Sequence, residues 1–290
     1  MAIRTDLAVE VIENNGATSK SAIQTQKNLE GFLLTQVKIL EEEPQIGKPP
    51  GNYYTLSVDA LLHREADSFP RACRAIAYSL HQLAPNLDPH ASVLIIGLGN
   101  RAITPDAIGP LCCQNVLATR HLVERSPAQF RAFRPVSVLA PGVLGTTGVE
   151  TGEIVMGVID RIHPSMIIAV DALAARRLSR LMCTVQMTDT GIVPGSGVGN
   201  ARTSLTQQQL GIPVLAIGVP TVVDGATLAH DIALQSGASC EALEDLQTPV
   251  LVTTRDVDQQ VADAARIIGY GINLFLHPTL EISDIDLFLS

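Results

Sequence analysis

Four aspartates could carry chemistry because each follows an apolar, strand-length run in a stretch of the sequence that holds few charges. Only nine of the 29 acidic residues fall between residues 92 and 235. A carboxylate in such apolar surroundings needs a hydrogen-bonding partner or a functional role. If the runs are parallel strands, these side chains meet at the carboxyl edge of a sheet, where ligands bind. The four candidates are Asp106, Asp171, Asp189 and Asp224.

Asp171 is the strongest candidate. It follows the apolar run Met166–Val170, and no cation occurs before Arg176. A carboxylate placed there loses hydration, and a poorly hydrated carboxyl group is suited to general acid and base catalysis.

The other acids also have structural interpretations. Asp106 ends Thr-Pro-Asp, the pattern of a helix start with an acid in its first turn. Glu150 and Asp224 each stand three residues after a threonine, which is a capping-box spacing. Asp189 is suited to stabilising the glycine-rich turn beside it. These four positions are therefore open to either a structural or a functional role.

Two glycine-rich motifs allow anion binding. Gly97-x-Gly99-x-x-Ala102 matches a loose dinucleotide fingerprint, but the helix start at Thr104-Pro105 follows the glycines, and the second strand has no ribose-binding acid. A nucleotide site is therefore disfavoured.

The second motif contains Gly195, Gly197 and Gly199. It predicts an anion-binding nest or an oxyanion pocket, with a flexible loop as the alternative.

Cysteine, histidine and metal chemistry find little support. The five cysteines are odd in number and include no Cys-x-x-Cys pair, so we interpret them as reduced core residues. Neither a Gly-x-Ser-x-Gly elbow nor a His-Glu-x-x-His motif occurs, and the seven histidines are scattered. We therefore expect no metal site and no cofactor. The cysteines are Cys73, Cys112, Cys113, Cys183 and Cys240.

The elements that position the aspartates follow from the apolar pattern. Continuous apolar runs, separated by longer segments, indicate strands that are buried on both faces. We predict an α/β fold of three layers, a mostly parallel sheet with helices on both faces. The predicted strands are 93–96, 136–139, 166–170, 183–187 and 214–217, and the clearest predicted helices are 71–83 and 255–274.

Composition excludes several classes of protein. Hydrophobic residues make up 46% of the 290 residues and charged residues 17%, which is typical of a globular core. The net charge of -9, without a lysine and arginine cluster, argues against a nucleic-acid partner. The longest uncharged run, 203–223, contains two prolines and three glutamines and is unsuited to crossing a membrane. With no secretory signal pattern, we expect a cytoplasmic protein.

Six sequence blocks in order resemble the germination (spore) protease family, and together they span nearly the whole chain. They are Arg4–Glu10 (RTDLAVE), Gly97–Asn100 (GLGN) with Thr104–Pro110 (TPDAIGP), Pro141–Glu153 (PGVLGTTGVETGE), Asp171–Arg176 (DALAAR), Thr188–Asn200 (TDTGIVPGSGVGN) and Gly218–Asp224 (GVPTVVD).

This resemblance implies an endopeptidase that begins the degradation of small acid-soluble DNA-binding proteins in the spore core during germination. It implies a zymogen, a homotetramer and a fold similar to that of hydrogenase maturation proteases (phosphorylase/hydrolase-like). By residue match, the catalytic aspartates are Asp106 and Asp171. Arg101-Ala102 and Thr254-Arg255 depart from the family pattern, but these changes touch neither aspartate.

The N-terminal block resembles the sequence at which the family cuts its substrates and itself. We therefore expect self-cleavage between Asp6 and Leu7, which divides the chain into a propeptide, 1–6, and one α/β protease domain, 7–290. That domain includes an N-terminal extension, 7–91, and a polar insertion near 236–248. The alternative is an ordinary first strand with Leu7 and Val9 on one face.

The expected mechanism is hydrolysis by a carboxylate pair, with one aspartate ionised and the other protonated. Backbone N–H groups of the 195–199 segment would stabilise the oxyanion. Two other classes remain as alternatives: a maturation-type protein whose acids bind a divalent ion together with a histidine, and a binding module that keeps the fold without the chemistry.

Overall fold

A computed structural model describes residues 5–14, 21–44, 46–59, 65–195, 203–237 and 250–290. Within these ranges nine strands form one sheet with the order β1-β2-β3-β7-β8-β6-β4-β5, and β9 pairs with β8. The strands are β1 (Ala22–Leu29), β2 (Phe32–Ile39), β3 (Gly51–Ser57), β4 (Val93–Gly97), β5 (Val136–Leu139), β6 (Met166–Ala175), β7 (Thr184–Thr188), β8 (Val214–Asp224) and β9 (Leu251–Val252).

The predicted α/β class is confirmed, but the sheet is mixed rather than mostly parallel. Strands β8, β6, β4 and β5 pair in parallel, whereas β1, β2, β3 and β7 add an antiparallel half. The first hairpin shows the cause. Glu30 and Gly31 connect β1 to β2 as a two-residue turn, both with positive φ, and such a turn imposes antiparallel pairing. The weakly patterned N-terminal extension thus contributes three strands to the sheet.

Three of the parallel strands, β4, β6 and β8, are buried on both faces, as their apolar runs predicted. In β4, Val93 and Ile95 belong to one core cluster, and Leu94 and Ile96 belong to another. This alternation follows from the two-residue period of a strand. The larger cluster includes the helices Ser68–Leu83 and Val257–Leu276, and the smaller one includes Thr151–Ile162, which completes the three layers.

The two helices predicted with bounds lie close to their predicted positions. The predicted segments 71–83 and 255–274 correspond to the helices Ser68–Leu83 and Val257–Leu276. In chain order the helices are α1 (Ala8–Asn14), α2 (Ser68–Leu83), α3 (Ile108–Cys113), α4 (Arg120–Arg125), α5 (Leu144–Thr147), α6 (Thr151–Ile162), α7 (Gln207–Leu210), α8 (Gly225–Ser236), α9 (Val257–Leu276) and α10 (Ile282–Leu289). No helix in the described ranges combines the length and the apolar character that a membrane span requires.

Candidate active site

A cavity of about 450 Å³ lies toward the carboxyl ends of β4, β6 and β8. Asp106 and Asp171 both line it, although 64 positions separate them in the sequence. Asp6 and Gly195 line the same cavity. We call this space the aspartate cavity.

Asp171 lies inside β6, which continues to Ala175 instead of ending at Val170 as the apolar run predicted. Its side chain is only 4% exposed. One carboxylate oxygen, Oδ1, accepts a hydrogen bond of 2.9 Å from the N–H of Ala172. The strand therefore holds a carboxylate in a largely water-free position at the cavity.

Asp106 ends a short 3-10 turn, Thr104–Asp106, that follows β4. Its Oδ2 accepts a hydrogen bond of 2.7 Å from the N–H of Asn100. Gly99 makes this contact possible: its φ is +110°, and a Cβ there would lie 2.0 Å from the backbone oxygen of Asp106. The glycines after β4 thus allow the loop to close on Asp106, which gives the loose nucleotide motif a packing explanation.

The N-terminal segment passes along the edge of this cavity. The N–H of Asp6 donates to the carbonyl of Ala174 over 2.9 Å, and Asp6 Oδ2 accepts from the N–H of Ala174 over 2.8 Å. Leu7 is fully buried, and α1 begins at Ala8. The alternative of an ordinary first strand is therefore wrong.

Gln186 on β7 clamps the segment on both sides of Leu7. Its Nε2 donates to the carbonyl of Asp6 over 3.0 Å, and its Oε1 accepts from the N–H of Ala8 over 2.7 Å. The carbonyl of the predicted scissile bond is thus hydrogen-bonded to Gln186 in this structure.

Glu10 fixes the same segment from α1. Its buried carboxylate accepts hydrogen bonds from the hydroxyl of Thr5 and from the N–H groups of Arg176 and Arg177, the latter two over 2.7 and 3.0 Å. Because Arg176 and Arg177 directly follow β6, Glu10 ties the N-terminal residues to the strand that carries Asp171.

A second cavity, of about 560 Å³, lies on the other side of Asp6 and Leu173, both of which line the two cavities. Lys48, Tyr53 and Gln186 are among the polar groups that line it. Burial lowers the pKa of Lys48, and the nearby charge of Asp6 partly opposes this shift. We call this space the lysine cavity.

The predicted glycine site is described only at one end. Gly195 lines the aspartate cavity, whereas Gly197 and Gly199 lie outside the described residues.

The remaining acidic candidates have structural partners and do not line the aspartate cavity. Asp189 accepts hydrogen bonds from Asn52, over 2.8 Å from its backbone N–H and over 2.6 Å from its side chain, so it anchors β3 instead of the turn beside it. Asp224 is the N-cap of α8 and accepts from the N–H of Thr227 over 2.9 Å. Glu150 is itself the N-cap of α6, paired with Glu153, so the predicted box with Thr147 does not form.

The four described cysteines are free, and each has a raised pKa. Burial is the main cause, and it raises the pKa to about 12 for Cys73 and to about 11 for Cys113 and Cys183. These thiols are protonated at neutral pH and are weak nucleophiles. Cys240 lies outside the described residues. Within the described part of the chain no group of three or more His, Cys, Asp or Glu side chains is suited to holding a metal ion.

Sequence reasoning missed Thr221 as a residue of the site. The spacing from Thr221 to Asp224 indicated a cap, but Asp224 caps α8 with its own side chain. Thr221 instead lines the aspartate cavity. Its place in the GVPTVVD block was the only available signal.

Comparisons with known proteins agree on one family. A family model described as germination protease matches residues 4–234. The germination protease of Caldanaerobacter subterraneus subsp. tengcongensis is 41% identical over all of this chain and 98% of its own length. That of Clostridium perfringens is 37% identical over 99% of both chains, and that of Bacillus cereus is 44% identical over 79% of this chain and 65% of its own. This chain belongs to the germination protease family.

Proposed function

We propose that this chain is an endopeptidase that begins the degradation of small acid-soluble DNA-binding spore proteins during germination, in the cytoplasm of the spore core. Family membership supports a protease. The observation that carries the mechanism is that Asp106, in the turn after β4, and Asp171, within β6, line one cavity.

In the proposed mechanism one aspartate is ionised and takes a proton from a water molecule, whose oxygen attacks the carbonyl carbon of the scissile peptide. The attack leaves an oxyanion at the former carbonyl oxygen, and the other aspartate is protonated and donates its proton to the nitrogen of the leaving amine. The tetrahedral intermediate then collapses, the C–N bond breaks and the C=O bond re-forms, while the first aspartate keeps the proton taken from water, so the two aspartates exchange protonation states. Two neighbouring carboxyl groups favour this division because a shared site disfavours joint ionisation.

The surroundings of the pair support peptide binding. The aspartate cavity and the lysine cavity meet at Asp6 and Leu173, so together they offer a path longer than either cavity alone. Gly195 stands at the cavity wall, and backbone N–H groups of the 195–199 segment, including Gly197 and Gly199, are proposed to stabilise the oxyanion.

The zymogen proposal rests on the position of residue 6. Asp6 already lies at the aspartate cavity, next to the bond that the family resemblance marks for cleavage. Because Leu7 is buried and the carbonyl of Asp6 is bonded to Gln186, the segment must open before the bond can be cut. Removal of residues 1–6 would then free the boundary between the two cavities. A homotetramer remains part of the proposal on the resemblance alone.

The deciding experiment is incubation of the purified chain with a small acid-soluble spore protein, followed by mass spectrometry of the products. We expect cleavage after an acidic residue, and a loss of about 10²- to 10⁴-fold in the Asp106→Asn and Asp171→Asn variants. Asparagine has nearly the same shape but neither ionises nor transfers a proton, so circular dichroism should show an unchanged fold.

Three results would contradict the proposal. Full activity in either asparagine variant would remove that aspartate from the mechanism. Activity that disappears on exhaustive chelation and returns with a divalent ion would favour the metal-binding alternative. Absence of any cleavage by the wild-type chain would favour a binding module.

A further inference from the structure

Thr221 occupies an irregular position in the central strand β8. The pairing with β6 runs from Leu173 opposite Pro220 directly to Ala174 opposite Val222. Thr221 is therefore an extra residue, without a partner in the register. A bulge of this kind redirects a side chain, and bulges are frequent beside active sites.

The hydroxyl of Thr221 is buried without a hydrogen-bond partner in the described part of the chain. The residue is 1% exposed, and its Oγ1 has no hydrogen-bond partner among the described residues. Leaving a buried polar group unpaired costs about 1 to 3 kcal/mol. The neighbouring positions Val219, Val222 and Val223 show that the strand accommodates valine, which has the same shape and avoids this cost. Strand propensity and packing therefore do not explain the hydroxyl.

The cavity supplies an explanation. Thr221 lines the aspartate cavity together with Asp106 and Asp171. A hydroxyl donates a hydrogen bond at every pH, whereas an ionised carboxylate only accepts. We infer that Thr221 is a catalytic residue whose hydroxyl donates a hydrogen bond to the carbonyl oxygen of the scissile peptide and to the oxyanion that forms from it. This inference rests on the proposed peptide hydrolysis.

A role as oxyanion donor explains why the hydroxyl of Thr221 has no hydrogen-bond partner among the residues that the structure describes. A donor that is fixed by a strand and free of other partners needs no reorganisation when negative charge develops on the substrate oxygen. The backbone around it is itself anchored, since the hydroxyl of Thr253 donates to the carbonyl of Thr221 over 2.7 Å. The cost of burying the hydroxyl would be recovered when substrate binds.

The test compares Thr221→Val, Thr221→Ser and a matched control, Thr55→Val. Thr55 on β3 is also 1% exposed with an unpaired Oγ1, but it lines neither cavity. The substrates are the chain's own N-terminus, followed by intact mass, and a synthetic peptide of residues 1–14. For the peptide assay, slow variants are first trimmed with tagged wild-type protein, which is then removed.

Thr221→Val should lower kcat on the peptide by about 10²- to 10³-fold with little change in KM, which is the usual effect of removing one oxyanion donor. Thr221→Ser should retain most of kcat, and Thr55→Val should retain all of it. Both valine variants should match or exceed the melting temperature of the wild type, because each removes an unpaired buried hydroxyl.

Two outcomes would overturn the role of Thr221 alone while leaving the proposed function intact. One is unchanged kcat in Thr221→Val, and the other is a loss of kcat that follows a lower melting temperature and is shared by Thr221→Ser. A wild-type chain that cleaves neither its N-terminus nor the peptide would instead refute the proposed function, and the inference with it.

Discussion

Asp6 and Ala174 hold each other through two hydrogen bonds, one from the N–H of Asp6 to the carbonyl of Ala174 and one from the N–H of Ala174 to Asp6 Oδ2. Ala174 lies on β6, three residues beyond Asp171. The N-terminal segment is thus docked like a short strand on the element that carries one of the two proposed catalytic groups. Its own carboxylate replaces a backbone acceptor in this contact.

Replacing Asp6 by Ala should undock Thr5–Leu7, because the N–H of Ala174 loses a charged acceptor. Replacement by Asn should leave the segment docked, since an amide oxygen still accepts that bond. The measurement is hydrogen exchange of the N-terminal peptide by mass spectrometry, with both changes made in the Asp106→Asn background so that self-cleavage does not interfere. Equal exchange in the Ala and Asn variants would show that this carboxylate does not hold the segment.

Asp189→Asn should lower stability and leave the chemistry intact. Its carboxylate accepts two hydrogen bonds from Asn52 and joins β3 to the end of β7, away from the aspartate cavity. Hydrogen bonds to charged groups contribute about 1.5 to 3 kcal/mol each, so we expect a loss of that order in the free energy of unfolding. Urea denaturation gives the loss, and kcat per folded molecule should match that of the wild type. A well-folded variant without activity would place Asp189 in the mechanism.

Thiol chemistry should be dispensable. Because burial keeps the described thiols protonated, iodoacetamide at neutral pH should react slowly and leave proteolysis unchanged. Replacing all five cysteines by Ala or Ser should reduce the melting temperature but not the reaction per folded molecule. Stoichiometric labelling of one cysteine that stops cleavage without unfolding would contradict the dicarboxylate mechanism.

The parallel half of the sheet was predictable because burial on both faces leaves continuous apolar runs, as in Val93–Gly97 and Met166–Ala175. The three N-terminal strands were not predicted, and β1 shows why: it is a largely exposed strand of polar residues with a low apolar content. The Glu30–Gly31 turn lacks the Asn-Gly or Asp-Gly pair that marks such hairpins most strongly.

The residues of the candidate site were also only partly predictable from the sequence. Asp106 and Asp171 were recognisable as charges at the ends of apolar runs, and the structure places both at one cavity. Thr221 was not recognisable, because its importance depends on a bulge in the pairing of β6 with β8 and on an unpaired hydroxyl. Neither property has a signature in the spacing of residue types.

Stability should fall on mild acidification through His277. Burial, reinforced by the charge of Arg134, lowers its pKa to about 4, whereas the unfolded chain has an ordinary value near 6.5. Below pH 6.5 the unfolded state therefore binds the proton first, and stability is lost as the pH falls from about 6.5 towards 4. Protonation of this group in the unfolded state should lower the free energy of unfolding by about 2 kcal/mol between pH 7 and pH 5.

His277→Gln isolates this contribution, because its amide oxygen can accept from the N–H of Arg134, as the Nδ1 of His277 does, but it does not titrate. The free energy of unfolding, measured by urea at pH 7 and pH 5, should fall less in the variant than in the wild type. If the free energy of unfolding fell by the same amount from pH 7 to pH 5 in the wild type and in the variant, His277 would not be the source of the pH dependence.

Opening of the N-terminal segment should limit the rate of self-processing. Leu7 is buried, so the bond between Asp6 and Leu7 is cut only after the segment opens, and Glu10 opposes that opening through hydrogen bonds from Thr5, Arg176 and Arg177. In Glu10→Gln only one side-chain oxygen remains as an acceptor, so the segment should open more often and processing should accelerate by about 10-fold, the effect of about 1.4 kcal/mol. Glu13→Gln is the matched control, because Glu13 lies on the same helix and, among its described contacts, pairs only with the side chains of Arg177 and Arg180. Intact-mass spectrometry at mildly acidic pH should show loss of residues 1–6 with a new terminus at Leu7, fastest in Glu10→Gln and absent when Asp106→Asn is added. An unchanged rate in Glu10→Gln would mean that opening is not the slow step, and fully active protein that retains residues 1–6 would exclude the zymogen.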